Sequence, residues 1–218
     1  MSSRAHYEKE LNGIFDSLVL MCRHIETVIE KSVEALTERD FDLAKEVVEE
    51  DKIIDRMERD IEQSCLKILV MEHPVASDFR EVSAALKMIT DLERIGDQAR
   101  DISEITRQFR GEEYIRQLVH IPQMATIVIQ MVKDGVQSYI NRDLALARSL
   151  DRTDDKVDEL FNVVMNDLTA LIKKNPENAE QAVLFMMITK YLERIGDHAV
   201  NIGEWVEYAI TGNHPNNE

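Results

Sequence analysis

Residues that break helices are scarce in this sequence, with seven glycines and four prolines among 218 residues. No stretch alternates apolar and polar residues as a half-buried strand would, so a β-class is excluded and the chain reads as all-α. Cysteine is nearly absent. Cys22 and Cys65 stand alone, without metal-ligand spacing, and read as small core residues in a reducing compartment. No apolar run approaches the roughly 20 residues of a membrane span, which excludes direct membrane insertion. Residues 1–8, MSSRAHYE, have no apolar signal-peptide core. A cytoplasmic protein is expected. Positive charge is also short: 26 Lys and Arg against 42 Asp and Glu give a formal charge of −16. A phosphate backbone would be repelled, so nucleic acid is excluded, whereas cations or a basic partner surface are not.

What is present is helical periodicity. The first helix is predicted from Arg4 to Leu36, and Asp40 reads as the N-cap of a second over Phe41–Met71. His73-Pro74 breaks that helix, and a third follows over Val75–Phe109. Arg110-Gly111-Glu112-Glu113 reads as the boundary between halves. A fourth helix runs to Ile140, with Pro122 near a kink. Asp143 caps the fifth, which ends at Asn175-Pro176, and the sixth reaches Ile210 before a frayed polar tail from Gly212.

The halves repeat one another. Asp91-Leu92-Glu93-Arg94-Ile95-Gly96-Asp97 returns one hundred residues later as Tyr191-Leu192-Glu193-Arg194-Ile195-Gly196-Asp197. Arg39-Asp40 recurs as Arg142-Asp143, and Asp51 with Asp55 recurs as Asp154 with Asp158. The reading is a duplicated unit of three helices, residues 1–110 and 111–218. That makes six long helices in two tandem, pseudo-symmetric three-helix bundles with antiparallel neighbours.

Each repeat carries two stripes. Met88, Leu92, Ile95, Ala99 and Ile102 step by four and three residues, as one buried helical face does. Beside them Glu93, Asp97 and Asp101 occupy successive turns, and the second copy reads Glu193, Asp197 and Asn201. Like charges four residues apart cost a helix a few tenths of a kcal/mol per pair. A mid-helix glycine costs about 1 kcal/mol more. The repetition of both penalties points to a bound cation that offsets them. Gly96 and Gly196 are expected to allow close helix packing, Met57, Met71, Met88, Met165, Met186 and Met187 to fill the core, and Trp205 to be core.

Residues at equal height in an antiparallel hairpin share a midpoint. The midpoint of Asp51 and Asp97 is Pro74, as is that of Asp55 and Glu93. Asp154 with Asp197, and Asp158 with Glu193, share a midpoint between Asn175 and Pro176. Helices pack 8–10 Å apart, so four carboxylates converge in each half if the faces also match. Oxygen ligands favour hard or borderline divalent metals such as Mg, Mn or Fe, in numbers that permit a cluster. The competing reading is a solvated acidic face neutralised by Arg94 and Arg194. A carboxylate-bridged metal enzyme is disfavoured, because no Glu-x-x-His pair or second base accompanies the acids and His198 points away from them. A metal-free helical scaffold is the third alternative. Asp101 extends the first stripe where Asn201 is neutral, so the first site is expected to hold metal more tightly.

The two Leu-Glu-Arg-Ile-Gly-Asp segments, both Asp-x-x-x-Asp segments and Pro74-Val75-Ala76-Ser77-Asp78-Phe79-Arg80 give the chain, over almost its whole length, a resemblance to the PhoU family. These are the phosphate-uptake regulators of bacteria and archaea. The resemblance implies a non-enzymatic negative regulator of phosphate uptake and of the phosphate-starvation response, often a homodimer. Its implied partners are the ATPase subunit of the phosphate ABC transporter and a sensor histidine kinase. It also implies multinuclear iron or zinc clusters on Asp51, Asp55, Glu93, Asp97 and Asp101, and on Asp154, Asp158, Glu193 and Asp197. Asn201, in place of a second Asp101, is the departure.

Overall fold

The computed structural model describes residues 3–72, 74–109, 113–115 and 119–215. Of the predicted boundary only Glu113 falls among them; His73 and the end of the tail lie outside. Six α-helices follow in order: α1 (Ser3–Glu38), α2 (Phe41–Met71), α3 (Ser77–Thr106), α4 (His120–Asn141), α5 (Leu144–Lys174) and α6 (Ala179–Thr211). Short 3₁₀ turns at Arg107–Phe109 and Pro176–Asn178 end α3 and precede α6. Among the described residues there is no strand.

The repeated Arg-Asp pair builds the first junction of each half. Arg39 and Arg142 take left-handed conformations (φ 58° and 53°). The next amide then bonds back five residues, Asp40 N–H to the Ala35 carbonyl (2.9 Å) and Asp143 N–H to that of Ser138 (2.8 Å). This closure satisfies carbonyls that a helix end leaves open. The same aspartates cap the following helix. Asp40 Oδ1 accepts from the Asp42 and Leu43 amides, and Asp143 Oδ1 from that of Leu146. Two departures from expectation are local. α3 starts at Ser77 because Ala76 is left-handed (φ 48°) after Pro74, and Pro122 sits in the first turn of α4, where it breaks no internal hydrogen bond.

α1, α2 and α3 pack on one another, as do α4, α5 and α6, and the halves meet through α3 against α6 and α1 against α4. One continuous core runs through both. Leu92, Ile95, Ala99 and Ile102 are wholly buried, and so are Ile188, Leu192, Ile195, Ala199 and Ile202. At the far end Phe109 stacks on Phe185 (centroids 4.7 Å apart) with Tyr114 edge-on to both. Buried Glu81 accepts from Arg142 (2.9 Å), and its carbonyl accepts from the Tyr139 hydroxyl (2.7 Å), tying the end of α4 to the start of α3. Cys22 and Cys65 are buried, free thiols. Four of the six methionines belong to the core or pack against it. Met71 and Met187 do not: one ends α2 and the other faces outward beside buried Ile188, leaving them 67% and 42% exposed.

Glycine lets α5 and α6 approach closely. A Cβ on Gly203 would lie 2.9 Å from the Ala147 carbonyl oxygen, a backbone atom that cannot swing away. Gly13, exposed on α1, has nothing within 4 Å of its Cβ position. Helix propensity alone favours alanine at both by about 1 kcal/mol, whereas overpacking costs about 1–3 kcal/mol. Gly13→Ala is therefore expected to raise Tm by about 2–4 °C, and Gly203→Ala to lower it. Calorimetry showing both variants stabilised would refute the close approach.

Candidate functional site

Because the apolar stripes of α3 and α6 are locked into the core, the acidic stripe of each turns toward its hairpin partner, α2 or α5. In the first half Arg100 Nη1 donates to both Asp51 Oδ2 (2.9 Å) and Asp97 Oδ1 (2.7 Å), so these two carboxylates are level across the hairpin. Arg100 Nη2 also reaches Asp101 (3.0 Å), and Arg94 Nη1 donates to the other oxygen of Asp97 (2.9 Å). Burial pushes the Asp51 carboxyl up, while Arg100 pulls it back. Burial, then Asp97, raises Glu93. The stripe continues to Glu58, raised by burial and then by Glu62 and Asp55.

The second half repeats the order of three helices with a different charge balance, because position 200 is valine. Among the described residues no lysine or arginine pairs with Asp154, Asp158 or Asp197, and Lys190 bonds Glu193 from the neighbouring turn. Asp154 Oδ1 is buried without any hydrogen-bond partner. Its carboxyl is pushed up to about 7, first by burial and then by Asp197, Asp158 and Glu193. Asp154 lies against Gly196, next to Asp197, and Lys190 lies over the Phe161 ring, so α5 and α6 run level as the count from their turn predicts. Gly196 is what admits Asp154 so closely: a Cβ there would collide with Oδ1. Gly96 meets instead the flexible end of Ile54 (2.6 Å to Cδ1).

Asn201 is not drawn into this group. Its Nδ2 donates to Asp91 Oδ1 (3.1 Å), which also bonds His198 Nδ1 (2.9 Å), across the seam between α3 and α6. Asp101 faces the same seam from the other side, where burial first and then the Asp101 charge raise the Tyr191 phenol. The position that distinguished the two stripes in sequence therefore lies at their flank. Sequence reasoning missed Arg100, Glu58 and Asp151, the last of which also raises Asp154. The signal available for Arg100 was its mismatch with Val200, one of four between residues 91–102 and 191–202. Among the described residues, no group of three or more His, Cys, Asp or Glu side chains is drawn together tightly enough to hold a metal ion as it stands.

The raised Asp154 carboxyl has a pH signature. Its folded pKa lies above the ordinary value of about 3.9, so the unfolded chain ionises first. The contribution of this group is fully present below about pH 4 and is lost as pH rises through about 7. In chelator, wild-type Tm is expected to fall across this window more steeply than that of Asp154→Asn. Parallel pH profiles for the two proteins would contradict it.

Comparison with known proteins adds the following. A family model described as the PhoU domain matches the chain twice, over residues 18–106 and 121–206. A protein of Clostridium acetobutylicum described as a phosphate-specific transport system accessory protein PhoU homolog is 34% identical over 211 residues, covering 96% of each chain. One of the same description from Borreliella burgdorferi is 32% identical over 219 residues, covering 98% of each. The crystal structure of PhoU from Pseudomonas aeruginosa superposes with a TM-score of 0.89 at 32% identity, over 95% of this chain and 100% of that one.

Proposed function

The chain belongs to the PhoU family of phosphate-transport accessory proteins, and on that premise we propose that it restrains phosphate uptake and the phosphate-starvation response as a metal-binding adaptor. In this reading it is a cytoplasmic homodimer without catalytic activity, standing between the ATPase subunit of a phosphate ABC transporter and a sensor histidine kinase. Among the described residues no helix is long and apolar enough to cross a membrane, which is compatible with docking onto a transporter from outside the bilayer.

The metal-binding part rests on one observation, the partnerless buried oxygen of Asp154 facing three further carboxylates. Such a donor set fits a divalent or trivalent cation of hard or borderline character, with iron and zinc first and manganese and magnesium as alternatives. Asp154, Asp158, Glu193 and Asp197 would hold it in the second half. Asp51, Asp55, Glu93 and Asp97 are the corresponding set in the first, flanked by Asp101 as Asn201 flanks the second. The cation would supply the positive charge these carboxylates lack and so cross-link the two helices of a hairpin. The protein's own contribution is to hold the carboxylates level and to bury one oxygen of Asp154.

Two measurements test this. Asp154→Ala combined with Asp197→Ala is expected to lower metal per chain, with circular dichroism unchanged because neither residue belongs to the core stripe. Unaltered metal content would return the acidic stripes to solvated surface. Deletion of the gene is expected to leave the starvation response on, or uptake unrestrained, in phosphate-rich medium. Wild-type uptake and reporter expression in a clean deletion, with no second copy of the gene, would refute the regulatory role.

A further inference from the structure

We infer that Arg100 is a built-in counter-cation of the first acidic site, so that the two sites differ in kind: the second takes metal directly, whereas the first takes it only by displacing an arginine. This rests on the metal-binding reading above and goes beyond it in ranking the sites and naming the residue that ranks them.

A cation bridging Asp51 and Asp97 needs the oxygens that Arg100 Nη1 already holds at 2.9 and 2.7 Å. One nitrogen lies between two carboxylates on different helices, which is the place a bridging ion would take. The same guanidinium is fixed by Asp101, and Arg94 engages the remaining oxygen of Asp97. Charge-assisted bonds of this kind are short and strong, and planar guanidinium suits two acceptors at once. In the second half the corresponding residue is Val200, with no donor, and Asp154 Oδ1 is left bare. Asp101 does not strengthen the first site as its charge alone would suggest, because it anchors the arginine that competes there. The ranking is thus the reverse of the one that the Asp101/Asn201 difference predicts.

Nothing else in the two copies explains the difference as economically. The hairpins have the same level pairing, and the buried stripes match position by position. The substitution of arginine by valine removes one positive charge from the acidic group while leaving the helix in place. The first half is held together with or without metal. The second depends on an ion for the same cross-link.

Equilibrium dialysis of Mn²⁺ against the whole chain, with free Mn²⁺ read by electron paramagnetic resonance, tests this. In wild type the tighter class of sites should vanish in Asp154→Asn/Asp158→Asn and survive in Asp51→Asn/Asp55→Asn. Arg100→Val should tighten first-half binding at least tenfold, and Arg100→Gln, which keeps a neutral donor and guards against misfolding of the valine variant, should do so more weakly. Val200→Arg should weaken second-half binding by a similar factor. Melting in chelator supplies a second readout: Arg100→Val should lower Tm, and Mn²⁺ should restore it. Equal affinities in the two halves that Arg100→Val leaves unchanged would overturn the role of Arg100 while the metal reading stands. No Mn²⁺ bound by any of these proteins, with Tm lost in Arg100→Val and not restored, would overturn both.

Discussion

Rotation about the helix axis is the variable on which the structure turns. A helix that buries Leu92, Ile95, Ala99 and Ile102 completely has one orientation open to it, since a fully buried side chain of this size contributes about 1.5–3 kcal/mol and several would be lost together on turning. α6 is fixed in the same way by Leu192, Ile195, Ala199 and Ile202. The direction of every polar residue on these helices then follows. Glu93 and Asp97 are carried toward α2, Glu193 and Asp197 toward α5, and Asp91, Asp101, Tyr191 and Asn201 to the seam where α3 and α6 meet. The acidic faces owe their positions to the core and not to each other, which is why they face their hairpin partner with arginine between them in the first half and without it in the second.

Duplication gave both halves this scaffold, and the two have drifted in how they manage the same charge. The first distributes arginines through its carboxylates and carries Glu58 as a further acid along α2. The second has a valine at the centre and places Lys190 over the ring of Phe161, the residue corresponding to Glu58, while that lysine also bonds Glu193. Shared ancestry in a repeat preserves backbone geometry longer than electrostatics, because the core tolerates little volume change while a surface position tolerates a change of sign.

Much of this was legible in the sequence, for identifiable reasons. Asp40 and Asp143 announce their helices because a capping carboxylate has only local partners. The level pairing of Asp51 with Asp97 follows from counting outward from a turn, since each residue advances both helices by the same rise. What counting cannot give is the facing of helices that are not sequence neighbours. Asn201 reads as a member of the acidic stripe within α6, yet the packing of α6 on α3 hands it to Asp91. Arg100 was hidden by length: its Cα lies one turn from Asp97, and only its long side chain brings the charge back between the carboxylates. Met187 illustrates the same limit, as an apolar residue beside a buried one whose own direction is outward.

The two cysteines give the molecule an internal clock. Cys22 on α1 and Cys65 on α2 are buried, and burial pushes both thiols up to about 12. The reactive thiolate is therefore scarce while these helices stay packed, and alkylation proceeds only through their transient separation. No cysteine occurs after residue 65. The rate at which an alkylating reagent marks this chain reports the opening of α1 and α2, and of α4 where its Lys133 and Tyr139 lie near these thiols.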